Sequence, residues 1–304
     1  MKGSIQEYAR IGIVHFMLWK DCIGGEGDFS GVRTVLDDPY FDAIEMSWVK
    51  DAAQRAEIAK AVEKSGKTIA FGAQPVLLTQ KLDLNSLDDG ERKRAVAAVV
   101  GAIPQAVELG ARGFALLSGF DVAEADRGRA TGKLVESLVE IGGELKKHAD
   151  IPLVLETFDR LTYGKNRLIG PNAEAAAVAR EVRKSVPKFG LMIDLSHLPL
   201  QGETPSQAWD AAGPYVVHAH MGNCVMGKPD HPMNGDEHPP FCDPAGENCV
   251  DELTEYLSVL LKNGYLDKTR RPILSFEVCI YGDLTREAVI AQSKETLDAA
   301  WRNV

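Results

Sequence analysis

Short apolar segments alternate with stretches of helical periodicity eight times along the chain. The apolar segments lack the period-two alternation of a strand with one face in water, so each is expected to be buried on both faces, as in a parallel sheet covered by helices. The predicted strands are 10–16, 41–46, 67–71, 111–117, 151–156, 189–194, 215–220 and 272–277. Eight such units predict the α/β fold class and a single (β/α)8 TIM barrel over residues 1–304, a common length for one barrel domain.

The alternative architecture is an open, doubly wound parallel sheet. Such sheets often bind nucleotides through a glycine-rich first turn. The sequence has neither a G-x-G-x-x-G after its first strand nor a G-x-x-x-x-G-K-[ST] segment. The barrel is therefore the preferred prediction, and the loops that follow its strands should share one face, where barrel active sites are found.

The charge balance limits the partners of the chain. Lys and Arg number 34 and Asp and Glu number 44, a formal net charge of -10 without a long basic run. Neither nucleic acid nor an anionic membrane surface is thus an expected partner. No segment approaches the roughly 18 apolar residues of a spanning helix, and the N-terminus lacks the apolar core of a signal peptide. A cytoplasmic location is expected.

The five cysteines form an odd set without C-x-x-C spacing, which favours a reducing cytosol over a disulfide framework. Cys224, Cys242 and Cys249 share a region with His231 and could in principle hold a structural zinc ion. Because they lack the closely spaced pairs that are typical of zinc sites, we predict that they are ordinary loop thiols.

Four predicted strands end in side chains of the type that binds metal ions. They are Glu156, Asp194, His220 and Glu277, at the ends of strands five to eight. An ionisable group at the end of a buried strand is costly unless it is paired or ligates a metal, and these strands are neighbours around a barrel. Three carboxylates with one imidazole suit Mn²⁺, with Mg²⁺ or Co²⁺ as alternatives. We therefore predict one divalent metal site.

Further polar residues lie at equivalent strand ends or in nearby loops. The predicted substrate contacts are His15, Glu45, Lys165, His197, Asp236 and His238. His197 follows the candidate ligand Asp194 by three residues. Asp236 and His238 fall in the longest irregular segment, 222–246, which is rich in proline and glycine. Long loops of this kind in compact domains usually cover or form a binding site.

Short motifs at these strand ends carry a family resemblance. They are Leu155-Glu156, Asp194-Leu-Ser-His197, His218-Ala-His220 and Phe276-Glu277. With them the chain resembles the xylose isomerase-like barrel superfamily, which includes sugar-phosphate isomerases and epimerases and ketose 3-epimerases. The resemblance implies that Glu156, Asp194, His220 and Glu277 bind one divalent ion and that the two glutamates also move protons. His197 resembles a histidine that contacts the substrate or supports the metal ligands.

The chain departs from the ketohexose 3-epimerases where those enzymes read the sugar. They carry a glutamate three residues and an arginine six residues after the ligand histidine, and a second glutamate six residues after the strand-five ligand. Here those positions hold Asn223, Met226 and Thr162. The loop sequences 156–160, 168–171, 220–225 and 234–241 are instead similar to metal-dependent subunits of enzymes that cleave 3-keto-glycosides, including C-glycosides.

These features imply a divalent-metal-dependent sugar isomerase or epimerase of carbohydrate metabolism, acting on a ketose or keto-sugar. The metal would make the C–H next to the carbonyl acidic, and Glu156 or Glu277 would remove that proton to give an enediolate. Return of the proton to the other face or carbon gives an epimer or isomer. Expulsion of a β leaving group makes the enzyme a lyase, and the metal ligands do not distinguish the two reactions.

Two other classes compete with this interpretation. Endonuclease IV-type enzymes share the barrel and an Asp-x-His like that of Asp236 and His238, but they need further histidines where this chain has Gln74 and Ser118. Its acidic charge also disfavours DNA. A non-catalytic binding subunit is the other class, and the intact ligand set argues against it. The expected partner is a small carbohydrate, with a homo-oligomer or a small partner subunit as open alternatives.

Overall fold

The computed structural model describes residues 3–304. Its strands are β1 Arg10–Ile13, β2 Ala43–Met46, β3 Thr68–Gly72, β4 Phe114–Leu117, β5 Leu153–Glu156, β6 Gly190–Asp194, β7 Val216–Gly222 and β8 Ile273–Glu277. They form one parallel sheet in the order β1-β8-β7-β6-β5-β4-β3-β2. β1 and β2 meet through a bridge between Val14 and Glu45. The sheet thereby closes, which confirms the predicted (β/α)8 barrel.

Helices surround the strands. They are α1 His15–Leu18, α2 Gly31–Asp37, α3 Ala52–Ser65, α4 Gln74–Gln80, α5 Asp89–Glu108, α6 Arg127–His148, α7 Asn172–Val182, α8 His197–Gln201, α9 Pro205–Ala212, α10 Val250–Lys262 and α11 Arg286–Asn303. Capping side chains fix where longer helices begin: Asp51 accepts from Gln54 N–H at the start of α3, which satisfies an otherwise unpaired donor. Within residues 3–304, no helix has the length and apolarity that crossing a membrane requires.

Strand periodicity decides which side chains fill the barrel interior. Because alternate residues point to the same face, Val154 lies on the face of Glu156, and Met192 on that of Asp194. A small buried apolar cluster consists of Ala115, Val154 and Met192. His218, paired in register with Met192, is a polar residue at the same level. The strand-end carboxylates therefore stand above a largely apolar floor.

The first strand is shorter in the structure than the predicted range 10–16. β1 ends at Ile13, and His15 begins α1 instead of ending the strand. The helices α1, α2, α4 and α8 each have seven residues or fewer, too few to show helical periodicity in the sequence. β7 continues to Gly222, so the irregular segment begins at residue 223 and extends to Cys249, before α10.

The prediction that the loop cysteines are free thiols is wrong for two of them. Cys242 and Cys249 form a disulfide with a Cα–Cα distance of 4.4 Å. The chain turns back between them, where Gly246 N–H donates to Asp243 O and Cys242 N–H donates to Asn248 O. Among the described residues, the free cysteines are Cys22, Cys224 and Cys279, all buried. A cytoplasmic location therefore stays a prediction, without the support that unpaired thiols would give it.

Candidate metal centre

The structure brings the four predicted ligand residues together at the carboxyl ends of β5 to β8. They are Glu156, Asp194, His220 and Glu277, all buried, and one potential ligand atom from each lies within 4.8 Å of the others. Strand register produces this convergence, since Asp194 pairs with His220, and Gly222 with Glu277. Residues distant in sequence thus share one rim of the barrel.

Hydrogen bonds orient two of the carboxylates and leave one oxygen of each unsatisfied. Glu156 Oε2 accepts from Gln74 Nε2 at 2.8 Å, and Asp194 Oδ1 accepts from Ser196 N–H at 2.8 Å. The other oxygens, Glu156 Oε1 and Asp194 Oδ2, are buried without a hydrogen-bond partner. Buried, unpaired carboxylate oxygens are costly, and clustered carboxylates repel one another. The donor set therefore fits a divalent cation.

The imidazole of His220 connects this cluster to β2. Its Nδ1 lies 2.6 Å from Glu277 Oε2 and 3.6 Å from Glu156 Oε1, and its Nε2 lies 3.1 Å from Glu45 Oε1. Burial lowers the pKa of His220, but Glu45 and Glu277 outweigh burial and raise it well above its usual value. In the metal-free protein these carboxylates thus favour the charged imidazolium form of the ring, and a metal would replace the proton at Nδ1.

A second cluster lies beside the first and is built around Asp236. Asp236 Oδ1 lies 3.1 Å from His197 Nε2 and 2.8 Å from His238 Nε2. His197 is held from its other side, since its Nδ1 lies 2.7 Å from the carbonyl of Thr157. Burial raises the pKa of Asp236, but the two imidazoles and Lys165 lower it well below its usual value. Asp236 is therefore a carboxylate between two imidazoles.

The pairing of His238 predicts a pH dependence of stability in the metal-free protein. Burial lowers the pKa of His238, but Glu277 and Asp236 raise it from 6.5 to about 9. Because the folded pKa is the higher one, the stabilisation is fully present below pH 6.5 and is lost as the pH rises to about 9. We expect the melting temperature of chelator-treated protein to fall across this range, measured by circular dichroism. His238→Asn should weaken the trend, and a wild-type melting temperature independent of pH would contradict it.

A cavity of about 300 Å³ opens beside the two clusters. Its polar lining includes Glu156, Lys165, His220, Asp236, His238 and Glu277. Its apolar lining consists of Phe16, Met17, Ile23, Pro75, Leu78 and Phe158. The volume is at the lower end of the range for small-molecule sites. A small molecule in it would touch the candidate metal ligands on one side and hydrocarbon on the other.

Four of the six predicted substrate contacts line this cavity, and two do not. Its lining contains Glu45, Lys165, Asp236 and His238. His197 is not part of the lining, because it is fully buried against Thr157 and Asp236. His15 is not part of it either: its ring stacks on that of Trp19 with a centroid distance of 4.7 Å, and burial lowers its pKa to about 4.

Gln74 is a site residue that the sequence had indicated only as a departure from the endonuclease IV-type pattern. Gln74 follows β3 and starts α4, and its amide donates to the candidate ligand Glu156. The signal in the sequence is its place just after a buried strand, since an amide there can reach the same rim as an ionisable side chain.

Comparisons with known proteins place the chain in a family. The sequence model of the Xylose isomerase-like TIM barrel family matches residues 40–300, while no curated protein matches the chain. Solved structures that share its fold include the following three. A D-psicose 3-epimerase with D-tagatose from Clostridium cellulolyticum H10 is 17% identical, with a TM-score of 0.66 over 96% of this chain and 97% of that one.

The second is the IolI protein with a bound zinc atom, 14% identical, with a TM-score of 0.71 over 97% of this chain and 99% of that one. The third is a 3-keto-D-glucoside 4-epimerase from E. coli, 13% identical, with a TM-score of 0.65 over 95% and 98%. Likeness at these identities establishes the fold and not the activity. The match of the family model over most of the barrel shows that this chain belongs to the xylose isomerase-like TIM barrel family.

Proposed function

We propose that the protein is a divalent-metal-dependent sugar isomerase or epimerase that removes a proton next to the carbonyl of a ketose or keto-sugar. The observation that carries this proposal is the convergence of four ligand-type side chains, two of them with unsatisfied buried oxygens. Three of the four, Glu156, His220 and Glu277, line a cavity of about 300 Å³. Structures of a ketose 3-epimerase and a keto-glucoside epimerase share the fold and support the choice of reaction class.

The residues that would hold the ion are Glu156, Asp194, His220 and Glu277. Their oxygen-rich set favours Mn²⁺, with Mg²⁺ and Co²⁺ as alternatives, and zinc belongs in any loading test because the IolI structure carries it. When bound, the ion would polarise the sugar carbonyl and so acidify the neighbouring C–H.

In this proposal Glu156 and Glu277 transfer the proton. Both line the cavity, and the hydrogen bond from Gln74 fixes Glu156 with Oε1 toward the cluster. One glutamate takes the proton to leave an enediolate of the sugar, and the other, in its protonated form, delivers its own proton to the opposite face or the neighbouring carbon. Exchange with solvent then restores both glutamates to their starting protonation. Lys165 would donate to sugar hydroxyls: burial lowers its pKa, but Asp236 and Glu237 raise it above its usual value, so it is charged.

A second candidate function is elimination of the aglycone from a 3-keto-glycoside. Two observations favour it over turnover of a free ketose. First, the apolar side chains that line the cavity, among them Phe16 and Phe158, would leave ketose hydroxyls without hydrogen-bond partners, which is costly. An aglycone would instead bury apolar surface against them. Second, Asn223 is fully buried, and its Oδ1 accepts from the N–H groups of Cys224 and Asn248. It is therefore not free to contact a sugar.

Incubation in D₂O separates the two reactions. Metal-loaded protein is given D-psicose in one sample and a phenyl 3-keto-glucoside in another. Solvent deuterium at the carbon next to the carbonyl, in an intact sugar, is expected for an epimerase or isomerase. Free phenol is expected for a lyase. The absence of both, with each of the four metals loaded in turn, would contradict the proposed function.

A further inference from the structure

Glu45 contacts the candidate metal centre from a strand that carries none of its four ligands. It lies on β2, and β8 and β1 separate β2 from β7 in the sheet. The residue is buried, and its Oε1 lies 3.1 Å from His220 Nε2. The contact therefore crosses the barrel interior and joins strands that do not pair with each other.

The same oxygen of Glu45 contacts a second imidazole, that of His218. His218 Nε2 lies 2.7 Å from Glu45 Oε1, and the rings of His218 and His220 meet edge to face, with a centroid distance of 5.1 Å. His218 and His220 are two residues apart on β7 and so point to the same face of the sheet. One carboxylate oxygen thus lies between two histidines of one strand.

Hydrogen-bond accounting places a hydrogen on Nε2 of both rings. An ionised carboxylate oxygen can only accept, so each Nε2 must carry the hydrogen. For His220 in its neutral form, the lone pair is then on Nδ1. That atom faces the oxygens of Glu277 and Glu156, at 2.6 and 3.6 Å. A lone pair among carboxylate oxygens is the arrangement that a metal ligand needs, and a carboxylate on the other ring nitrogen commonly orients such a ligand.

We propose that Glu45 is a positioning residue that holds His220 as the Nε2–H tautomer, with Nδ1 presented to the metal, and that His218 fixes Glu45 in turn. This assigns Glu45 a role different from the substrate contact expected from the sequence. The inference rests on the proposed metal centre, and its test must separate failure of one from failure of the other.

The first measurement uses the wild-type protein. With ¹⁵N-labelled histidine and the protein loaded with diamagnetic Zn²⁺, long-range ¹H–¹⁵N spectra report which ring nitrogen carries a hydrogen. We expect hydrogen on Nε2 and none on Nδ1 of His220, with its resonances assigned from a His220→Asn variant. Hydrogen on Nδ1, with Nε2 free or bound to zinc, would overturn the proposal regardless of how any Glu45 variant folds.

The second measurement is metal affinity without sugar, by competition with a chromophoric chelator. Glu45→Gln keeps the size of the side chain but removes its charge, and should weaken Mn²⁺ and Zn²⁺ binding by about 10–100-fold, the usual effect of losing such a partner. Glu237→Gln is the matched control. It removes a charge from the same cavity lining, but its contact is with Lys165, so its effect should be much smaller.

Three further outcomes would overturn the inference. Wild-type metal affinity in folded Glu45→Gln with a raised KM would make Glu45 a substrate contact and overturn the inference. Two ions per wild-type chain, one of them lost in Glu45→Gln, would make Glu45, His218 and His220 a separate metal site and also overturn it. A wild-type protein that binds no divalent ion would overturn the metal centre and this inference together.

Discussion

Replacing Glu277 with glutamine is expected to abolish turnover of any sugar substrate, lowering kcat/KM by about 10²–10⁴-fold, the usual contribution of a positioned acid or base. Glu277 lines the cavity and lies 2.6 Å from Nδ1 of His220, so it can serve both the ion and the substrate. An amide keeps the size of the side chain and an oxygen ligand but cannot take a proton. The measurement is deuterium exchange or aglycone release in the assay described above.

Metal content measured on the same sample separates the two roles of Glu277. A variant that retains its ion but lacks exchange has lost proton transfer, whereas a variant without the ion has lost the centre. Glu255→Gln, on the exposed face of α10, is the control for the same chemical change away from the site. Full activity of Glu277→Gln would refute the assigned role.

Removal of the ion is expected to abolish activity and to lower the melting temperature of the protein. The buried carboxylates of the centre repel one another when no cation lies among them. A ligand that binds only the folded state stabilises it by about 2.7 kcal/mol when its free concentration is 100 times its Kd. The experiment compares thermal unfolding after EDTA treatment with unfolding after reloading with Mn²⁺, Mg²⁺, Co²⁺ or Zn²⁺, and activity is assayed on the same samples.

Asp194→Asn supplies the control for that shift. It removes a ligand that is fully buried on β6 and has an unsatisfied oxygen, so the melting temperature of the variant should respond far less to added metal. If EDTA left the wild-type melting temperature unchanged at neutral pH, the four residues would not form a metal centre.

The barrel and the clustering of the four ligand-type residues could be predicted because both follow from local patterns. A parallel strand that ends in Glu156 or Asp194 places its last side chain on the shared rim, whatever the loops do. The first strand shows the limit of this reasoning. Val14 and Phe16 are as compatible with a strand as Ile13 is, so nothing local indicates that the chain leaves the sheet before His15 and forms a helix of four residues.

Contacts across the barrel and within loops could not be predicted for a different reason. The contact between Glu45 and His220 depends on closure of the sheet, which brings β2 within reach of β7 across the barrel interior, and no spacing in the sequence encodes that distance. The disulfide depends on the reversal of the chain between Cys242 and Cys249. Seven residues of separation are compatible with bonded or distant sulfurs, and only the turn decides between them.

The buried amide of Asn223 limits how this barrel could be retargeted to another sugar. Its hydrogen bonds to Cys224, Pro240 and Asn248 hold together the segment that follows β7. A glutamate placed there to imitate a ketohexose 3-epimerase would therefore disrupt the segment and would not gain a sugar contact. Thr162 is exposed, so this position can be substituted without loss of buried contacts. New specificity would therefore have to arise by point changes on the β5 side, or by wholesale transplantation of the segment between β7 and α10.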